Sequence, residues 1–299
     1  MGIFKSKLGS AVEMLKETKK PDKIEHLHLH IIEDGDWIVR KRIPFSMTDF
    51  LRSIKESKET SFLKVRDNIK KIKTELVEST FLRKKVVYEL IEEGWEKRVQ
   101  EMRKEGKFFY NGELLRFEGC KTRGDTLYLK VSKDLFYKDV VGLRYHSFDK
   151  YQNLEENLRP KALSVYNIII TSDSKLVARI RDKTGDWEES YEICGGFVRS
   201  SEWKDIFGSA KSRIQEDFGI TIDKIKSIKF LSIYDYPRIA EIQMIFLVNL
   251  DLSVLKLQEF NPKIIYTENT KEGVEDFLGK SDLFHPPSIE ALKVYRQIV

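Results

Sequence analysis

Between positions 195 and 217 the chain places Gly195-Gly196, Glu202, Arg213, Glu216 and Asp217. On a helix Arg213, Glu216 and Asp217 stand at i, i+3 and i+4, so one face carries an arginine and two carboxylates, with Ser209 and Asp205 one and two turns earlier on the same side. Clustered carboxylates suit a hard dication such as magnesium or manganese, which takes oxygen ligands and keeps several waters. Such ions bridge the oxygens of a pyrophosphate, polarise phosphorus and lower the pKa of an attacking water. A paired glycine lets the backbone approach phosphate closely, or turns a strand into a loop. Arg213 lies one turn from both acids and can pair with either. Three readings follow for it: a contact to substrate phosphate, with Glu202, Glu216 and Asp217 as metal ligands; an ion pair replacing the metal; or an ordinary solvated pair. Arg179 and Arg181 alternate on a strand before the glycines, and Arg181 is the second candidate contact to phosphate.

Composition bounds the classes of protein that can carry this chemistry. With 41% hydrophobic and 34% charged residues over 299 positions, the chain is too apolar for disorder and long enough for two domains. Its longest apolar stretch, Ile242 to Leu250, is about half the roughly 20 residues of a membrane helix. Met1-Gly2-Ile3-Phe4-Lys5-Ser6 fits the myristoylation pattern only superficially, and no apolar signal core follows it. The two cysteines, Cys120 and Cys194, exclude a disulfide framework and a four-cysteine zinc site, and point to the cytoplasm.

The net charge of +5 is uneven. Residues 1–150 hold 33 Lys+Arg against 25 Asp+Glu, giving +8, while residues 151–299 hold 20 against 23, giving −3. A basic N-terminal half could meet nucleic acid through its phosphates. Its runs, Lys70-Lys71-Ile72-Lys73 and Arg83-Lys84-Lys85, alternate with acids at helical spacing, which a solvated helix face explains more cheaply.

The elements that must position the site are read from periodicity. Met1 to Lys20 has a weak helical pattern closed by Pro21. In Glu25 to Ile31, His26, His28 and His30 alternate with leucines, predicting a strand that turns at Glu33-Asp34-Gly35-Asp36 into Trp37 to Arg40. Three imidazoles on one strand face could hold zinc or copper, but no fourth ligand is spaced to join them. Val65, Ile69, Ile72 and Leu76 predict one amphipathic helix, and Val87, Ile91, Trp95, Val99 and Met102 another. From Lys107 the period changes to two, giving a meander with turns at Asn111-Gly112 and Arg123-Gly124-Asp125. The polar stretch Glu155 to Lys161 reads as a linker. Strands follow at Val165 to Thr171, Leu176 to Arg181 and Tyr191 to Cys194, then a helix through Phe207, Ala210, Ile214 and Phe218 that stops at Gly219. Strands at Lys226 to Tyr234 and Ile239 to Leu250, and a last helix opened by Pro286-Pro287, complete the pattern. The fold class is α+β.

Gly196, Glu202 and the run Ser212-Arg213-Ile214-Gln215-Glu216-Asp217-Phe218-Gly219-Ile220 resemble the Nudix box, a strand-loop-helix that holds magnesium for pyrophosphate cleavage. The interval after Glu202 is two residues longer than in that family. Arg213 stands where the family has its first helical metal-binding glutamate, and Ser212 where it has arginine. Trp95-Glu96-Lys97-Arg98, Leu114 to Phe117, Leu127 to Leu129 and Phe136 to Gly142 look like the region preceding the Nudix domain in eukaryotic UDP-glucose and UDP-galactose diphosphatases, with Tyr137 and Arg144 in one of their segments. Pro287 to Tyr295 is similar to their end. The resemblance implies a C-terminal Nudix-like α/β/α sandwich with a mixed sheet over 161–299, preceded by a helix plus antiparallel meander over 86–160 and a helical and hairpin extension over 1–85. It implies a magnesium- or manganese-dependent hydrolase of a nucleoside diphosphate derivative such as a UDP-sugar. In that role Glu216 and Asp217 ligate metal, Glu202 acts as ligand or base, and Gly195-Gly196 shapes the phosphate site. The alternative is an inactive Nudix-like module that binds a nucleotide, nucleic acid or protein.

Overall fold

The computed structural model describes residues 27–31, 37–41, 62–63, 69–106, 110–144, 154–181, 189–236 and 240–299. The expected helix at Met1 to Lys20, the acylation pattern and His26 lie outside the described residues. Two units divide the chain, Met1–Ser46 and Met47–Val299. In the first, β1 (Leu27–Ile31) and β2 (Trp37–Lys41) form the expected antiparallel hairpin, with Leu29 opposite Val39.

The second unit is built on one mixed sheet of strands β3 to β13. Its spine is β7 (Ala162–Ile170), buried at every position, which explains why its sequence is a nearly unbroken apolar run rather than an alternating one. On one side β7 runs parallel to β12 (Glu241–Leu250), which pairs with β11 (Ile225–Tyr236), and β11 with the two-residue strand β3 (Phe62–Leu63). The other side of β7 is shared along its length. Ala162 pairs with β5 (Glu113–Arg123), Ser164 to Asn167 with β10 (Cys194–Phe197), and Ile169 and Ile170 with β8 (Lys175–Ile180). β8 also pairs with β9 (Tyr191–Glu192) and β13 (Ile264–Glu268).

Helices cover both faces. Leu163, Val165 and Ile169 of β7 and Met244, Phe246 and Val248 of β12 pack against α3 (Ile206–Phe218) and α4 (Val254–Phe260). The opposite side chains, Tyr166, Ile168, Ile170 and Ile245, meet α5 (Lys271–Gly279) and α6 (Pro286–Arg296). Alternation along each strand therefore builds an α/β/α sandwich from one sheet. The helix α3 forms where the stripe Phe207, Ala210, Ile214 and Phe218 predicts it, although Ile206 is the buried residue of its first turn and Phe207 is only partly buried. Asp205 caps its start by accepting from the Gly208 N–H at 2.8 Å, and Gly219 ends it at φ 72°.

Before the sandwich, α1 (Lys85–Lys104) packs on α2 (Tyr137–Arg144) through Val87, Leu90 and Ile91 against Val140 and Leu143. Strands β5 and β6 (Thr126–Phe136) form the hairpin expected at Arg123-Gly124-Asp125. The strand expected at Phe108 and Phe109 lies outside the described residues; the side-chain oxygen of Asn111 accepts from the Lys138 N–H at the start of α2. The helix expected through Ile69, Ile72 and Leu76 is instead strand β4 (Lys71–Leu76), parallel to β6. Ile69, Ile72 and Leu76 satisfy a helical period, but Ile72 and Thr74 also satisfy period two, and pairing with β6 decides. The polar stretch around 155–161 holds only a short 3-10 turn, Glu156–Leu158. No break in the core accompanies it, since Leu115, Phe117, Leu127 and Leu129 of β5 and β6 share their apolar cluster with α3. Among the described residues no helix is long and apolar enough to cross a membrane.

Candidate functional site

The site starts at β10, where Gly195 and Gly196 sit in mid-ladder. A Cβ on Gly195 would fall 2.5 Å from the Tyr166 ring and 2.7 Å from the Val165 carbonyl oxygen, so glycine is required there by packing across the ladder. A Cβ on Gly196 would make ordinary contact with the Arg213 side chain, at 3.5 Å from Cδ. Beyond Phe197 the chain makes a one-turn 3-10 helix, Ser200–Glu202, then enters α3. Glu202 is fixed by this turn, because its carboxylate accepts from the Arg199 backbone N–H at 2.9 Å.

Arg213 reaches from α3 back into this loop and is 7% exposed. Its Nη2 donates to the Phe197 carbonyl oxygen at 2.7 Å and to Glu202 at 3.2 Å, while Nη1 donates to Glu216 at 2.5 Å. Arg199, which the sequence reading passed over, donates to the other oxygen of Glu216 at 2.8 Å. Its signal was its place three residues before Glu202, an i, i+3 ion pair at 3.7 Å. Burial of Glu216 works against its charge, but Arg213 and Arg199 hold its carboxyl below the usual range.

Asp217 follows Glu216 in sequence and points elsewhere. It accepts from Arg179 of β8 at 2.8 Å and from the Gly195 backbone N–H at 3.1 Å. Arg179 also donates to Glu192 of β9 at 3.1 Å, and Arg181 donates to the same carboxylate. Burial pushes Glu192 up to about 7 against the pull of Arg181 and Arg179, and burial likewise raises Asp217. His285, just before α6, lies with Nδ1 3.6 Å from Glu192, and burial beside Arg181, Arg144 and Arg179 keeps it well below the ordinary histidine range. Cys194 is buried, and burial raises its thiol. Arg144 of α2 pairs with Glu241 of β12 and stacks on Phe197 at 5.2 Å, while Tyr137 meets Phe197 edge-on at 5.8 Å. Sequence spacing gave no signal for Glu192, Glu241 or His285, whose partners are distant in the chain.

Of the expected metal ligands, then, the structure joins Glu202 and Glu216 around Arg213 and sends Asp217 to Arg179 and Gly195. As arranged, these residues do not fit a divalent cation. A peptide oxygen and two carboxylates converge, as oxygen ligands do on magnesium, but the centre they surround is a guanidinium. Among the described residues no group of three or more His, Cys, Asp or Glu side chains is gathered to hold a metal ion.

No protein-family model matches the chain, and no curated protein does. Similar solved structures include a bifunctional NMN adenylyltransferase/ADP ribose pyrophosphatase from Francisella tularensis, complexed with AMP and a Mn ion. It is 13% identical at a TM-score of 0.35, and the match covers 50% of this chain and 46% of that one. Shewanella oneidensis NrtR is 13% identical at a TM-score of 0.36, over 46% of this chain and 63% of its own. RenU, a Nudix hydrolase from M. smegmatis, is 9% identical at a TM-score of 0.33, over 46% and 85%. At this level of similarity no residue role passes from them to this chain.

Proposed function

We propose that this protein is a Nudix-like module that binds a nucleoside diphosphate derivative without hydrolysing it. The ligand class comes from the resemblance of the strand-loop-helix around Gly196, Glu202 and Glu216. The loss of hydrolysis rests on one observation, the position of Arg213 among the oxygens of Phe197, Glu202 and Glu216. A guanidinium supplies positive charge and N–H donors, but it coordinates no water and lowers no water's pKa. It can therefore hold an anion without making a nucleophile. Separating it from its acids strands a buried guanidinium, so an added metal does not displace it cheaply.

The test incubates the full chain with magnesium or manganese and UDP-glucose, UDP-galactose, ADP-ribose and dinucleoside polyphosphates, and follows nucleoside monophosphate. No release is expected. Metal-dependent release that Glu216→Gln and Asp217→Asn abolish would overturn the reading and establish the hydrolase. Arg213→Glu is expected to add manganese binding, measured by the ion's resonance signal, because it replaces the guanidinium with a third carboxylate.

A further inference from the structure

We infer that Arg199 and Arg213 form a metal-independent clamp for a phosphate group, in which Glu216 is an internal stand-in for the ligand. This rests on the binding reading above and specifies where the phosphate sits and what opens the site.

Both arginines aim at one carboxylate. Arg199 donates to one oxygen of Glu216 at 2.8 Å and Arg213 to the other at 2.5 Å. Two guanidinium forks converging on the oxygens of one anion make a geometry that phosphate also satisfies, with more charge and more acceptors. The occupant is exchangeable. Glu216 is 43% exposed and Arg199 is 53% exposed, so the glutamate side chain can rotate into solvent, breaking one surface contact and one contact to the buried Arg213, which keeps its other two acceptors. Arg213 stays in place when Glu216 leaves, because Glu202 and the Phe197 carbonyl hold its other arm.

A second observation points the same way. A guanidinium has five N–H donors, and Arg213 Nε, although buried, has no hydrogen-bond partner. It lies against Gly196, 3.6 Å from the place a Cβ would occupy, so no side chain at position 196 covers it. A buried donor left unmade is destabilising. An oxygen of a bound phosphate, reaching past Gly196, would satisfy it. Glu202 remains beside the clamp with the ligand's own sign of charge and offsets part of the pull, so the preference for a diphosphate rests on its larger number of acceptor oxygens for the two guanidinium groups.

The experiment is calorimetric titration of the full-length protein with inorganic pyrophosphate in EDTA, at low and at moderate salt. Saturable binding is expected without metal, weakened by salt. Arg199→Ala should weaken it about tenfold or more, since it removes a charge-assisted contact at an exposed position. Glu216→Gln should tighten it, because the competitor loses its charge. Orthophosphate should bind more weakly than pyrophosphate. The clamp is overturned if neither wild type nor Glu216→Gln binds in EDTA, if binding appears only when magnesium is added, or if Arg199→Ala leaves affinity unchanged. Absent binding together with absent turnover removes the clamp alone. Metal-dependent turnover removes the reading it rests on.

Discussion

The two acids at the end of α3 are neighbours in sequence and have opposite surroundings. Glu216 meets Arg199 and Arg213 at a solvent-facing edge, whereas Asp217, 12% exposed, meets Arg179 in a cluster with Glu192 and His285. Both are arginine–carboxylate pairs. Solvent access separates them. At the exposed edge water can replace Glu216 and Arg199, so their pair is worth little and the site can trade its anion while the buried Arg213 stays in place. In the buried cluster neither partner can leave without stranding a charge, so the pair locks β8, β9, β10 and α3 together. One turn of helix thus carries an exchangeable site on one side and a structural tie on the other.

The sharpest way to break this contrast is Arg179→Met. It takes from the buried Asp217 its arginine, while Glu192 keeps Arg181, and is expected to cost about 3–5 kcal/mol in urea unfolding. A loss below about 1 kcal/mol would place this cluster in the same class as the exposed edge. Gly195→Ala comes next, at about 1–3 kcal/mol, because its methyl group must enter the Tyr166 ring. Gly196→Ala, whose methyl group meets Arg213 at ordinary contact distance, should be within about 0.5 kcal/mol of wild type.

The titration of Glu192 sharpens the comparison further. Its carboxyl is raised from 4.5 to about 7 in the folded chain, so the folded state holds more protons than the unfolded state between those values. That contribution to stability is present below pH 4.5 and is lost as pH rises to 7. His285, depressed by burial, works in the opposite direction below its ordinary range. The comparison of wild type with Glu192→Gln isolates the glutamate. The variant should gain on wild type by about 1 kcal/mol per pH unit across that window. Equal pH slopes for the two proteins would show that Glu192 is not forced toward its neutral form. The smallest effect belongs to Glu216→Gln, expected to change unfolding stability by no more than about 0.5 kcal/mol.

How far these contrasts were readable in the sequence differs by residue. The helix α3 and its stop at Gly219 follow from local signals, because apolar spacing and left-handed backbone act within a few residues, whereas Gly195 and Gly196 lie inside strand β10, where Tyr166 and Val165 across the ladder require the first of them. Helical spacing also places Arg213, Glu216 and Asp217 on one side. It does not tell which of the two acids Arg213 takes. Arg179 and Asp217 are 38 residues apart, and Ser288, whose hydroxyl accepts from the Ile193 N–H, is 95 from its partner. Such pairings are fixed by strand order, which one sequence does not display. Strand β4 shows the same limit from the other direction, since two periods fit its residues and only the neighbouring strand β6 selects one.

The edge of β7 has a consequence for how the chain can be divided. Three strands take turns along that edge, and the first of them, β5, comes from the segment before the sandwich. It holds the far end of the glycine loop as well, through the Leu115 N–H to the Val198 carbonyl at 2.9 Å, while the Val198 N–H goes to Leu163. The stem of the loop that carries Arg199 is therefore stitched from both sides by strands encoded more than forty residues apart. A fragment cut at residue 161 would keep Arg179, Arg181, Arg199 and Arg213 with Glu192, Glu202, Glu216 and Asp217, and would lose half of the stitching, including the shelter that Tyr137 and Arg144 give Phe197. Leu115 of β5 and Tyr137 and Arg144 of α2 thus form part of the wall of the loop that carries Arg199.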